Sequence, residues 1–220
     1  DGVTWIAKYP GAIGNTIRVG VVDTPAQFAS SIDLHSNTYT ISRGSNTVVL
    51  SFTGDSSGSV AQGVSDSIAI GDQIRFGNTA INFQYMKVTE ISAPNTANAS
   101  QSTLTLNFEV PYRLHTAYTS NAISRHWEFF NAVRTAPGTS EYQLLNGDSG
   151  VVDEVHVVIV DENGLFTGTP GEILEVHKGM SRATDAKTTG GVNNYYRDVI
   201  NTQSRYIWWA ADRPNAPSAL

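Results

Sequence analysis

The chain has 220 residues, 40% hydrophobic and 15% charged, with a formal net charge of −6. That much apolar content excludes a disordered chain, and about 70% of the unfolded surface can be buried at this length. Fourteen Lys and Arg scattered singly exclude the cationic footprint of a nucleic-acid binder, the lack of cysteine excludes disulfides and thiolate chemistry, and no apolar run reaches the ~18 residues of a membrane span.

The predicted elements begin with a turn at Tyr9-Pro-Gly11, where Pro10 fixes φ and Gly11 tolerates φ > 0. Thr16 to Val22 alternates Ile17, Val19 and Val21 with polar neighbours, the period of a half-buried strand. Further strands are predicted at Thr47–Phe52, Ile74–Phe76, Phe83–Ile91 and Ser102–Val110, separated by turns such as Gly54-Asp55, Gly71-Asp72 and Gly77-Asn78. Ile68-Ala-Ile70 leads into the second of these turns. In the last third, Val155–Val160 is a near-continuous apolar run suited to burial on both faces. A tight turn at Asp161–Gly164 and a strand or short helical turn at Glu172–His177 follow it. Tyr196, Val199 and Ile200 share one helical face, so Asn193–Ile200 is predicted helical, and Arg205–Trp209 is a β-forming aromatic run.

Composition divides the chain. Residues 24–125 hold 28 of the 43 Ser and Thr with five basic and six acidic residues, whereas 1–23 and 126–220 hold nine basic and fourteen acidic ones. The expected architecture is therefore mixed α+β: a discontinuous α/β domain (1–23 and 126–220) interrupted by an all-β insertion (24–125), a small barrel or sandwich. The chain opens on Asp1, not Met, with no signal peptide. Asn215-Ala-Pro-Ser-Ala-Leu220 reads as a cut linker, so a piece of a longer protein is expected.

The motifs that carry chemistry elsewhere are weak here. Gly147-Asp-Ser-Gly150 matches the nucleophile tetrapeptide of trypsin-like proteases, but Ser149 needs a base from His35, His115 or His126 and a buried acid, and the sequence is also good turn composition. His156 and His177 lack a second ligand at helical zinc spacing. Asp153-Glu154 and Asp161-Glu162 are adjacent pairs that point to opposite faces; only a cross-pair such as Asp153 with Glu172 offers glycosidase geometry. Tyr195-Tyr196 and Trp208-Trp209 suit core packing, a protein interface or a sugar platform, and Asn98-Ala-Ser100 is a glycosylation sequon. No catalytic residue, cofactor site or metal site is assigned, and an enzyme is not expected.

Three stretches carry a resemblance: Ile6-Ala-Lys-Tyr-Pro-Gly-Ala-Ile-Gly-Asn-Thr-Ile-Arg-Val19, Asp153 to Glu175, and Asn193–Asn201 with Ser204–Trp208. In order and spacing they resemble the contractile tail sheath proteins of myoviruses, over about half the chain and only in its flanks. Residues 24–125 resemble no known family. The resemblance implies a structural virion subunit, assembled in the host cytoplasm. Copies would form a helical sleeve around the tail tube that contracts after baseplate triggering and drives the tube through the host envelope. It implies self-association, with tube and baseplate contacts made by parts outside this chain, no cofactor, no nucleic-acid partner and no membrane insertion. The sheath of a related injection machine and an extracellular carbohydrate-binding or adhesive β-protein are the alternatives.

Overall fold

The computed structural model describes residues 5–77 and 81–212; the readings at Asp1, Asn78 and the linker 215–220 lie outside them. The fold is mixed and mostly β. The chain first forms β1 (Trp5–Ala7), β2 (Ile17–Val22) and the short α1 (Pro25–Phe28). It continues through β3 (Ala29–Asp33), β4 (Tyr39–Ile41), β5 (Thr47–Thr53), α2 (Ser59–Asp66), β6 (Gln73–Phe76), β7 (Gln84–Ile91), β8 (Asn95–Asn98), β9 (Gln101–Phe108), β10 (Tyr118–Ser120) and β11 (Ala122–His126). Last come α3 (Phe130–Val133), α4 (Glu141–Leu145), β12 (Glu154–Asp161), β13 (Glu172–Ser181), α5 (Tyr196–Gln203) and β14 (Ile207–Trp209). Two compact units result, called outer and inner only for their order along the chain: the outer from Asp1–Phe28 with Phe129–Leu220, and the inner from Ala29–Glu128.

The inner unit is built on a seven-stranded sheet of order β3-β11-β6-β7-β9-β5, with β8 beside β9. Period-2 patterning sets the register: Val48, Leu50 and Phe52 of β5 lie opposite Leu106, Leu104 and Ser102 of β9 and face one core with Ile74, Phe76, Met86, Val88 and Ile123. Phe83 and Tyr85, of the opposite parity to Met86 and Val88 on the same run, lie on the other face and make an edge-to-face pair.

Two expectations for this segment are corrected. The sheet is open, with no barrel: β4, which follows β3, pairs with β10 instead of joining β3 to β5. Nor is the segment all-β, because α2 packs Ala61 and Val64 into the core. The start of α2 is organised by Asp55. Its carboxylate accepts the N–H of Val60 and Ala61, both at 3.1 Å, and the Ser102 hydroxyl at 2.6 Å. The Ser102 bond, followed by the backbone donors, holds the acid down at about 2 against the opposing effect of burial. A buried ion pair, Arg125 Nε to Asp72 Oδ2 at 2.6 Å, ties β11 to the start of β6.

In the outer unit β12 lies between β13 and β2, antiparallel to both. Its residues from Val155 to Asp161 are all buried, so the continuous apolar run does sit between two covered faces. Val155, Val157 and Ile159 share a core with Met180, with Val199 and Ile200 of α5, and with Ile207. Strand β13 carries two more residues than β12, accommodated as bulges opposite 155–157 and 159–160. At the first bulge the Gly179 N–H donates instead to Nδ1 of the buried His156, at 2.9 Å. No helix among the described residues is long and apolar enough to cross a membrane.

Candidate assembly surface

The sequence stretches 6–19, 161–172 and 204–208 meet in an aromatic clasp. Phe166 makes edge-on contacts with Tyr9 and Tyr206, with ring centroids 5.0 and 5.3 Å apart, and Tyr9 lies 5.9 Å from Tyr206. Two local devices aim these rings. Gly14 allows the chain to fold back on the Tyr-Pro-Gly turn, because a Cβ there would stand 2.0 Å from the Tyr9 carbonyl oxygen. The fully buried Asp161 gathers the turn after β12, accepting N–H bonds from Leu165 (3.0 Å), Phe166 (2.8 Å) and Thr167 (2.8 Å). Burial opposes ionisation, and the three amides and the Thr167 hydroxyl outweigh it, so the acid stays below its ordinary range.

Beside the clasp, β1 and β14 form an antiparallel ribbon. Its register places Ile6 opposite Trp208, and these are 49% and 45% exposed, an uncovered apolar pair. Lys8 spans that pair and the helix behind it. Its Nζ lies 5.2 Å from the Trp208 ring centroid and donates to the Ser204 and Asn201 carbonyls at 2.5 and 3.4 Å, a cationic cap on the C-terminal end of α5. Arg197 lies over Trp209 at 4.2 Å, near the Tyr195 and Tyr196 rings, and pairs with Asp212. Asp212 also accepts the Tyr196 hydroxyl; burial first, and this bond second, push that phenol up to about 12. Lys8, Arg197 and Asp212 thus hold the helix–strand unit together, and the Ile6–Trp208 pair is what the ribbon leaves exposed.

The motif residues do not converge. Ser149 is exposed in a turn, its carbonyl accepts from Thr139, and no histidine bonds its hydroxyl. His35 stands in the β3–β4 turn at φ 51°, His115 is exposed, and His126 faces Ser124 and the Tyr85 ring. His177 bonds Glu175 at 3.1 Å, and among the described residues no three His, Asp or Glu could hold a metal ion. Asp153 is buried and accepts the Ser140 N–H at 2.7 Å and the Ser181 hydroxyl; Glu154 accepts from Gly138 at 2.8 Å. Glu172 is the register partner of Asp161, so the length of β12 separates it from Asp153. At ~3.4 Å per residue that is about 25 Å, against the ~5–9.5 Å a glycosidase pair requires. Glu162 faces Arg18 at 3.6 Å, and Asn98 accepts from its own Ser100 N–H on the exposed β8.

Of the paired aromatics, Tyr195 is buried, Trp209 half-buried and Trp208 exposed. Sequence reasoning missed Lys8, Phe166, Arg197 and Asp212. Lys8 next to Tyr-Pro-Gly and Arg197 next to Tyr195-Tyr196 were the available signals.

Comparison with known proteins gives a narrow result. Over 217 residues the chain is 25% identical to a tail sheath protein of Salmonella phage ViI. The match takes in 94% of this chain and 31% of that protein, so the chain spans about a third of its relative's length. A match of that extent includes most of residues 24–125, so the similarity is not confined to the flanks as the motifs alone suggested. No family profile matches the chain, and no solved structure does.

Proposed function

We propose that this chain is a structural segment of a phage tail sheath subunit, acting by contact between copies and without catalysis. The observation that carries the reading is the match to a tail sheath protein along nearly the whole chain, through both units. The clasp agrees with it: the three stretches that resemble sheath proteins meet in one aromatic junction beside an uncovered apolar pair.

In this reading copies assemble in the host cytoplasm into a helical sleeve around the tail tube. The sleeve contracts when the baseplate triggers it and forces the tube through the envelope for genome delivery. The work comes from small differences in contact free energy between two packings, summed over many copies. The outer unit supplies inter-subunit contacts and the inner unit is a surface module inserted into it. Tube and baseplate contacts belong to other parts of the protein.

Electron microscopy of the purified full-length gene product tests the proposal. Tubular helical assemblies are expected; a product that stays monomeric at every concentration and salt condition that assembles known sheaths overturns it.

A further inference from the structure

We propose that Asn163 is a site of spontaneous backbone modification, and that the fold directs the reaction there and away from Asn146. The inference does not depend on the sheath reading. The sequence contains two Asn-Gly pairs, Asn146-Gly147 and Asn163-Gly164. In such a pair the glycine nitrogen, having given its proton to hydroxide, attacks the asparagine Cγ. The Cγ–Nδ2 bond breaks, ammonia leaves, and a five-membered imide forms. Water, the one co-reactant, then opens the ring. Attack at Cγ restores the normal chain as aspartate, and attack at the main-chain carbonyl leaves the chain running through the side chain as isoaspartate. No electron changes hands. The step needs an amide side chain free to swing and a glycine N–H free of other bonds.

The two sites differ in both respects. At the end of α4, Asn146 Nδ2 donates to the Tyr142 carbonyl at 3.0 Å and the Gly147 N–H donates to the Leu144 carbonyl at 3.3 Å. Side chain and nucleophile are both engaged. In the turn after β12 the neighbours of Asn163 are tied down: Glu162 N–H bonds the Thr16 carbonyl, and Leu165, Phe166 and Thr167 bond Asp161. Between them Asn163 is exposed, and neither its amide nor the Gly164 N–H bonds any described residue. Gly164 is fixed as glycine by its φ of +75° and by Pro170, whose nitrogen would lie 2.8 Å from a Cβ. The fold thus keeps the reactive pair and leaves it open.

The consequence is specific. Isoaspartate lengthens the main chain between Asp161 and the three amides that converge on it, so Phe166 can no longer be held against Tyr9 and Tyr206 by the same bonds. The turn after β12 becomes an ageing point for the clasp.

The test is incubation of the native protein at mildly alkaline pH, with peptide mapping by mass spectrometry and isoaspartate quantified at both sites. Ammonia loss and isoaspartate are expected at Asn163 several-fold faster than at Asn146, and the two rates are expected to converge in denaturant, where both sites are plain Asn-Gly. Equal rates in the native protein, faster reaction at Asn146, or the same ratio in denaturant would each overturn the proposal. An Asn163→Gln variant, which keeps the amide and the fold, is expected to abolish the modification and to retain its thermal stability through the incubation while the wild type loses part of it. Equal loss in both would sink the stated consequence for the clasp.

Discussion

Tyr39 places a hydroxyl in the apolar core of the inner unit, 3% exposed and with no hydrogen-bond partner among the described residues. Burial drives its ionisation well above the usual phenol range. A buried donor without a partner forfeits its bonds to water, at about 1–3 kcal/mol. Tyr39→Phe removes the hydroxyl while the ring keeps its edge-on contact with Phe76. The variant is expected to be at least as stable as the wild type, by up to ~1 kcal/mol, in chemical denaturation; a clear loss would mean that the hydroxyl has a partner. His156 is a mixed case, a buried ring whose Nδ1 accepts the Gly179 N–H while its Nε2 has no hydrogen-bond partner among the described residues. Burial holds it below its ordinary value of 6.5, and the nearby Glu154 charge opposes that shift without cancelling it. The unfolded chain therefore binds the proton more readily than the folded one. Stability from this group is complete above pH 6.5 and is lost as pH falls from there through the folded value. His156→Gln, whose side-chain oxygen can accept the Gly179 N–H, is expected to lose less stability than the wild type between pH 7.5 and 5 in paired urea melts.

Among the elements, those whose pattern is closed within one segment were legible. Leu104, Leu106 and Phe108 alternate on β9, Val155–Val160 is one apolar run, and Tyr196, Val199 and Ile200 share a helical face; these residues lie where that logic puts them, although the helix runs over Tyr196–Gln203 and leaves out the expected 193–195. What escaped depends on partners distant in sequence. Helix α2 is hidden in a Ser- and Gly-rich stretch, with Gly63 inside it and its capping carboxylate, Asp55, outside the first turn. Whether the inner sheet closes turns on β4 and β10, three residues each and too short to announce a pairing choice. The turn at Asp161 was readable, but not that its carboxylate would aim Phe166 at two tyrosines from opposite ends of the chain. The bulge at Gly179 was equally invisible, because only β12 shows that β13 is too long.

For the whole molecule, the way the inner unit is joined decides what can be removed. Its first strand β3 pairs with its last, β11, and Ala29 lies opposite His126, so the incoming and outgoing chain are about 5 Å apart. A short flexible linker in place of 29–128 spans that gap. The shortened chain is expected to keep the outer unit folded, with the fluorescence of Trp5, Trp208 and Trp209 matching that of the intact chain once Trp127 is removed from it by substitution, and to support tube formation in the full-length context. Folding without assembly would show that the inner unit is more than an appended module. The same pairing has a mechanical corollary. A pull on the two connections would open the β3–β11 ladder from its Ala29–His126 end, one rung after another, which is the weak direction of a sheet.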